Sequence, residues 1–476
     1  MKKTPVKKNI AHKYDDIFNI EKSNKKHEYE IIIGVQNGSK IDRKLLDNII
    51  SFSKKIKANI IALPLKDHNE SFKNQTINFD KYLSEKNIKL VNEYIINDNL
   101  IAMDAQLLPQ MLNPLTGIHR LGTDETGVKK RSVIVTHTKL DLDVIETGFN
   151  THPRIICTSG VVTKPNYISN KRIGKLAKTQ HKMGFVLVKK HNNKIFNLVQ
   201  IEANKDSSFY FDGKLYQKNK IVKTDCHIHL GDNHGHEMDK NIMKMLPSIL
   251  THLNPSKVFV HDSFNGTTVN GHEKNSVISR YRTYMDYSLS LEHELRETIE
   301  IERKLFKGYN LIKISSNHDV DWIDRRLEEG EYPKDPINTL IMHKLAIMKM
   351  ENPSSNTLNN AYNIVYPNHD LNILFTSRYE HVLSFGNICH HGDIGKGGSK
   401  GNIKTFEATL GNSISGHTHK PARYGNAVDV GHTTHGKQSY KKGLNGWVKA
   451  MAISYPTGKV ELRLFVENKE GKLFTI

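Results

Sequence analysis

Ser415-Gly416-His417-Thr418-His419 is the stretch on which the reading of this chain turns. A Gly-His-x-His turn sets two imidazoles on one short loop, a donor arrangement that suits borderline divalent metals, and Gly416 is expected to let the backbone bend tightly there. In a chain with 26 histidines one such pair says little by itself. Four earlier stretches give it weight: His390-His391-Gly392, Ser316-Asn317-His318-Asp319, His261-Asp262 and Asp232-Asn233-His234-Gly235. Each falls just past the end of a segment that reads as a strand, which is where open α/β sheets carry their binding loops. Side chains far apart in sequence can therefore converge at one sheet edge. The residue types suit a pair of divalent ions: Asp232 and Asp262 supply charge, His234, His391, His417 and His419 supply nitrogen, and Asn317 supplies a neutral oxygen. Asp225-Cys226-His227 has the same Asp-x-His spacing as Asp232 to His234, so the first motif has two possible positions. The later one is preferred, because Cys226 to Leu230 reads as the strand leading into it.

Outward from these motifs, residues 219 to 476 alternate strand and helix. A strand runs up to Asp232, a helix from about Met238 to Leu250, a strand from Lys257 to His261, an amphipathic helix from Leu289 to Phe306, and a strand from Leu311 to Ser315. Later strands are expected at 373–376, 387–390, 413–415, 448–454 and 460–465, closing a sheet or sandwich. Residues 29 to 218 open β-α-β, with Glu30 to Val35, Leu45 to Ile56 and Asn59 to Leu65, and read as a separate α/β domain. Strands follow at 132–136, 154–158, 184–189 and 195–202, with a hairpin or loop around Phe209 to Lys214. Residues 1 to 28 carry many lysines and few apolar side chains, and read as a flexible basic arm.

Composition sets outer bounds. A chain of 476 residues with 37% hydrophobic residues is expected to build two domains with sizeable cores. The formal charge of +19, from 69 Lys and Arg against 50 Asp and Glu, favours a polyanionic partner, and nucleic acid is the first candidate. Base composition offers a plainer source of the excess lysine, since the chain is also rich in Asn and Ile. Arg280, Tyr281, Arg282 and Tyr284 group cations with aromatics after Asp262, and Lys396 and Lys400 lie in the Gly-rich run 395–401 after His391, where amides and ammonium groups could follow phosphates. Three cysteines without a Cys-x-x-Cys pair argue against a disulfide framework or a zinc ribbon. With no apolar leader and no run of about 18 apolar residues, the expectation is a soluble cytoplasmic protein without a membrane segment.

The ordered set Asp-x-His, Asp, Asn-His, His and Gly-His-x-His resembles the calcineurin-like metallophosphoesterase superfamily over roughly the last 260 residues. The resemblance implies a β-sandwich flanked by helices, preceded here by the additional α/β domain. It implies two divalent ions: Asp232, His234 and His419 on one, Asn317, His391 and His417 on the other, and Asp262 between them. A hydroxide shared by the pair would attack phosphorus in line. His318 would be the general acid, a role that contributes about 10²–10⁴-fold when well placed, and Asp319 could orient that imidazole. Two departures stand out: the family's Gly-Asp is His261-Asp262, and its Gly-Asn-His is Ser316-Asn317-His318, so a glycine is missing at both turns.

The phrase Thr158-Ser159-Gly160-Val161-Val162-Thr163-Lys164-Pro165-Asn166-Tyr167, the two-part layout and Gly231-Asp232-Asn233-His234-Gly235-His236 are similar to the pre-early, host-DNA-degrading metallophosphoesterases of large tailed phages. That similarity implies a manganese-dependent DNase, with Fe, Zn or Mg as other metals, acting on DNA in the infected cell's cytoplasm as a homo-oligomer. A phosphomonoesterase or small-nucleotide phosphodiesterase is the alternative, and a non-catalytic nucleic-acid-binding assembly protein is a third.

Overall fold

The computed structural model describes residues 20–476 apart from 25–26, 37, 66–78, 106–130, 148–152, 168–169, 171, 219, 271–275, 286–289, 331, 436–444 and 469, and apart from the side chains of 79–81, 279–280 and 282–283. Of the expected basic arm, residues 1–19 lie outside the described residues, and Ile20–Lys22 forms a strand paired in parallel with Glu93–Asn97.

Period-two alternation builds the sheet that carries the site. Along His227–Leu230 successive side chains face opposite ways, so Ile228 and Leu230 share one face and His227 and His229 the other. This strand pairs in parallel with Lys257–His261, which pairs with Asn310–Ile314 and that with Asn372–Phe375. Antiparallel Ala450–Ser454 and Val460–Leu464 complete six strands on the other side. One face is covered by the helices Lys240–Leu253 and Leu291–Phe306, whose Ile242, Leu246, Leu250 and Phe306 bury against Ile228, Leu230, Val258 and Val260. Full burial of each such side chain contributes roughly 1.5–3 kcal/mol. Asp239 and Ser290 fix where the two helices begin, by accepting backbone N–H groups of their first turns.

The opposite face, with Phe259, Ile312 and Ala452, packs on Cys389, Ile414 and Val428 of a second sheet. Among the described residues that sheet has eleven strands. Val382–Ser384, Asn387–Cys389, Ser413–Ser415, Ala427–Asp429 and Ala422–Tyr424 form one part of it. Arg423 then pairs with Leu142, and the sheet runs on through Asp141–Ile145, Arg154–Thr158, Ser132–Val135, Leu100–Met103, Glu93–Asn97 and Ile20–Lys22. Strands from both sides of residue 218 thus share one hydrogen-bonded sheet.

A five-stranded sheet of Phe196–Glu202, Gly184–Lys190, Tyr29–Gln36, Asn59–Leu65 and Lys89–Leu90 holds the N-terminal β-α-β, with Leu45, Leu46, Ile49 and Phe52 of helix Arg43–Ile56 buried in its core. The segment expected as a hairpin or loop is a three-stranded meander, Phe209–Phe211, Lys214–Gln217 and Lys220–Lys223. The architecture is mixed α/β. Among the described residues no helix is long and apolar enough to cross a membrane.

Candidate metal centre

Parallel strands of the six-stranded sheet end at one edge, and parallel strands of the eleven-stranded sheet packed on it bring a second set of loops alongside, which puts the motif residues together. Asp232 and His234 follow His227–Leu230, Asp262 follows Lys257–His261, and Asn317 and His318 open the π-helical turn Asn317–Asp321 after Asn310–Ile314. His391 follows Asn387–Cys389, and His417 and His419 follow Ser413–Ser415. His234, Asp262, His417 and His419 all have left-handed backbones, with φ of 50°, 41°, 73° and 57°. Non-glycine residues held there cost of order 1–3 kcal/mol each and persist where surrounding structure over-determines them.

The two glycines absent from the motifs are not needed. His261 closes a strand in extended conformation, and Ser316 is extended at φ −125°, with its Oγ accepting the Asp319 N–H at 3.0 Å. Gly416 is needed, for a reason other than the tight bend expected of it. A Cβ there would lie 2.5 Å from Asp232 Oδ1 and 3.1 Å from the His261 Cβ, so the residue is glycine because two neighbours press against it.

The donor atoms converge. Asp232, His234 and His419 present ligand atoms within 4.8 Å of one another, as do Asp232, Asp262 and His391, and His234, Asp262 and His318. Asp262 Oδ2 lies 3.8 Å from His234 Nε2 and 3.5 Å from His391 Nε2, so one carboxylate oxygen sits between two imidazoles. His391 Nε2 is also 3.1 Å from Asn317 Oδ1. His234 Nε2 and His419 Nε2 face each other at 3.2 Å, with Asp232 Oδ2 at 3.0 Å from the latter. His417 stands beside this group, its ring centroid 5.1 Å from that of His391 and its N–H donating to Asp232 Oδ1 at 3.1 Å.

Such a donor set fits a divalent cation. Burial, with the Asp232 and Asp319 carboxylates, pushes the Asp262 carboxyl well above its ordinary range, and its Oδ1 is buried without a hydrogen-bond donor. Burial and the neighbouring His318 and His419 hold the His234 imidazole well below its ordinary value, so it is a neutral nitrogen donor. The raised carboxyl shows that negative charge is held at a cost in this buried cluster of neutral imidazoles, and a bound cation would stabilise it.

His318 Nδ1 lies 2.7 Å from the Asn265 carbonyl, which requires the proton on Nδ1 and leaves Nε2 as the exchangeable atom. Burial pushes this imidazole down to about 4. Asp319 does not touch that ring through any described hydrogen bond. Its carboxylate accepts the Ser263 N–H at 2.8 Å, the Phe264 N–H at 3.3 Å and the Ser263 hydroxyl at 2.9 Å, clamping the residues that follow Asp262. Asp225 and His227 lie at the far end of their strand, with Asp225 Oδ2 accepting from Ser256 and His227 Nδ1 against Ser384 Oγ at 2.8 Å. Lys396 lines a cavity of about 350 Å³ that opens beside His391, and Lys400 pairs with Ile394 in the same loop. Arg280 and Arg282 belong to the helix Val277–Met285, but their side chains lie outside the described residues.

Sequence reading missed Arg378. Its guanidinium, 9% exposed, makes a forked pair with Asp321 at 2.8 and 3.0 Å and also grips Asp393, tying the Asn317–His318 turn to the His391 loop. Trp447, whose ring centroid is 4.3 Å from that of His419, was missed as well. Asp393, two residues after His391, was the available signal for the first; nothing local marked the second.

No family model matches the chain, and no curated protein does. Among solved structures it is similar to Vps29 of Chaetomium thermophilum, in a crystal structure complexed with the RaPID-derived cyclic peptide RT-D3 and in a second crystal structure. Identity is 10% in both, with 41% of this chain and 95% and 96% of those chains covered, at TM-scores of 0.22 and 0.23.

Proposed function

We propose that this chain is a dinuclear-metal-dependent phosphodiesterase that cleaves DNA. The observation that carries the reading is the position of Asp262 Oδ2 between His234 and His391, with Asp232 and His419 on one side and Asn317 on the other. In this reading Asp232, His234 and His419 hold one ion, Asn317, His391 and His417 the other, and Asp262 both. Divalent ions in such a site supply Lewis acidity toward a phosphoryl oxygen and an activated water at neutral pH, and manganese is the first candidate.

The chain's own groups do the rest. His318, with its Nδ1–H fixed on the Asn265 carbonyl, presents Nε2, which must first take up a proton from solvent and would then give it to the leaving oxygen, a step that matters most for a poor leaving group such as a nucleotide 3′ or 5′ oxygen. The Asp319 clamp and the Arg378 bridge hold the two loops in register. DNA as substrate is supported by the +19 charge and by Lys396 beside the cluster.

The test is a gel assay of purified protein on linear and circular duplex DNA with manganese, beside EDTA-treated protein and His318→Ala. Cleavage abolished in both controls is the expected result, and cutting of the circle would mark an endonuclease. The cavity of about 350 Å³ beside His391 favours a second reading, a small phosphoester substrate. Intact DNA together with hydrolysis of a small chromogenic ester would select it.

A further inference from the structure

The cavity of about 350 Å³ beside His391 lies in the same crevice as the metal cluster, one strand further out. Asp232, Asp262 and Asn317 follow three neighbouring strands of the six-stranded sheet. Ile314 brings to the cavity the end of the third of these, and Thr376 the end of the edge strand Asn372–Phe375. His391 belongs to both places: its Nε2 meets Asp262 and Asn317, and the residue lines the cavity. A molecule with one group on the cluster can therefore seat an adjoining group here. The volume falls within the range of about 300–1,000 Å³ common to small-molecule sites.

The lining suits a flat, uncharged group. Ile314, Ile394, Phe406 and Leu410 supply apolar surface, and Phe406 is itself packed edge-on against His390, with 4.3 Å between ring centroids. Tyr379, 80% exposed, adds an aromatic ring. Arg378 offers no charge to a ligand, because Asp321 and Asp393 already occupy it. The Ser315 hydroxyl is likewise engaged, donating to the Thr376 carbonyl. Glu380, His381 and Lys396 are exposed, and their side chains make no hydrogen bond or ion pair among the described residues. Lys396 and Glu380 offset each other, so the cavity has no surplus of cations with which to hold a phosphate.

We propose that this cavity takes the nucleobase of the nucleotide whose phosphate lies on the metal cluster. Apolar walls and a tyrosine ring accept a base through its faces, which every base offers. Glu380, His381 and Lys396 supply an acceptor and donors for its polar edge. The inference rests on the phosphodiesterase reading and narrows its substrate. A base in the cavity is neither stacked nor paired, so the substrate is unpaired DNA: a single strand, a frayed end, or a nucleotide turned out of a duplex at the cost of its stacking. A free nucleotide joins the same base to the same phosphate, and the test separates the two sources.

The test is titration calorimetry of the full chain in EDTA, where no metal holds the phosphate and nothing is hydrolysed. Deoxyadenosine 5′-monophosphate is compared with deoxyribose 5-phosphate, which lacks the base, and should bind at least about fivefold more tightly. Tyr379→Ala removes an exposed ring, and Thr409→Trp fills the cavity from an exposed position of the helix Ile403–Leu410, so both should fold. Each should weaken the monophosphate at least about fivefold and leave the sugar phosphate unchanged. A short single strand that binds more tightly than the monophosphate, and than its own duplex, identifies DNA as the source; the monophosphate binding more tightly identifies a free nucleotide. A monophosphate no tighter than the sugar phosphate, or undiminished in both variants, overturns the proposal. Base binding by a chain that cleaves no DNA would count against the nuclease reading alone, and DNA cleavage without base binding against this one alone.

Discussion

Replacing Asp319 with alanine probes how the candidate metal centre is braced. The buried carboxylate accepts two backbone N–H groups, from Ser263 and Phe264, and the Ser263 hydroxyl. Alanine leaves those two N–H groups without an acceptor, and each buried orphan costs about 1–3 kcal/mol, so Asp319→Ala should lose about 2–6 kcal/mol of stability. Asparagine keeps an oxygen for both N–H groups and should cost under about 1.5 kcal/mol. Ser263 and Phe264 directly follow Asp262, so a loosened clamp should also weaken divalent-metal binding by about 10–100-fold. Urea unfolding gives the first quantity and manganese titration calorimetry the second. An alanine variant within about 0.5 kcal/mol of wild type would refute the orphan argument. An asparagine variant as damaged as alanine in both measurements would show that charge, not hydrogen bonding, is what Asp319 provides.

Gly416→Ala forces a Cβ to 2.5 Å from Asp232 Oδ1, so manganese affinity measured by calorimetry should fall at least about tenfold while circular dichroism shows a folded chain. Arg378→Ala leaves Asp321 and Asp393 without their shared cation and should cost on the order of 3 kcal/mol in denaturant unfolding. Solvent at the partly exposed Asp321 reduces that figure, and Arg378→Lys should recover only part of the loss, because lysine cannot form the fork. Glu294 accepts the Gly266 and Thr267 N–H groups, and burial, partly offset by His236, pushes its carboxyl up to about 7. The folded chain therefore binds more protons than the unfolded one between about pH 4.5 and 7, and stability from this group falls as pH rises through that window. Unfolding free energies of wild type and Glu294→Gln should converge on the alkaline side or cross, relative to their separation at pH 5; a constant separation from pH 5 to 8 would contradict the shift.

Some of this was legible because it is local. Asp232, Asp262 and Asn317 each follow an apolar run of strand length, and parallel strands of one sheet carry whatever follows them to one edge, so their grouping could be anticipated from order; His391 and His419 follow short strands of a second sheet and join them only through the packing of the two sheets. The β-α-β opening was equally readable, since Leu45, Leu46, Ile49 and Phe52 recur on one helical face. Helix Thr339–Glu351 was not: Leu340, Ile341, Met342, Leu345, Ile347 and Met350 surround its whole circumference and leave no stripe to detect.

What the sequence determined by itself was therefore residue type and order, meaning which donors exist and which strand end carries each. Only the tertiary structure decided relations between distant segments: the pairing of Arg423 with Leu142 that carries one sheet across residue 218, the Arg378 fork joining two loops, and the engagement of Asp319 with Ser263 rather than the ring beside it. Local periodicity reports which face of an element is buried. It holds no record of which other element that face will meet, because that is set by packing summed over the whole chain.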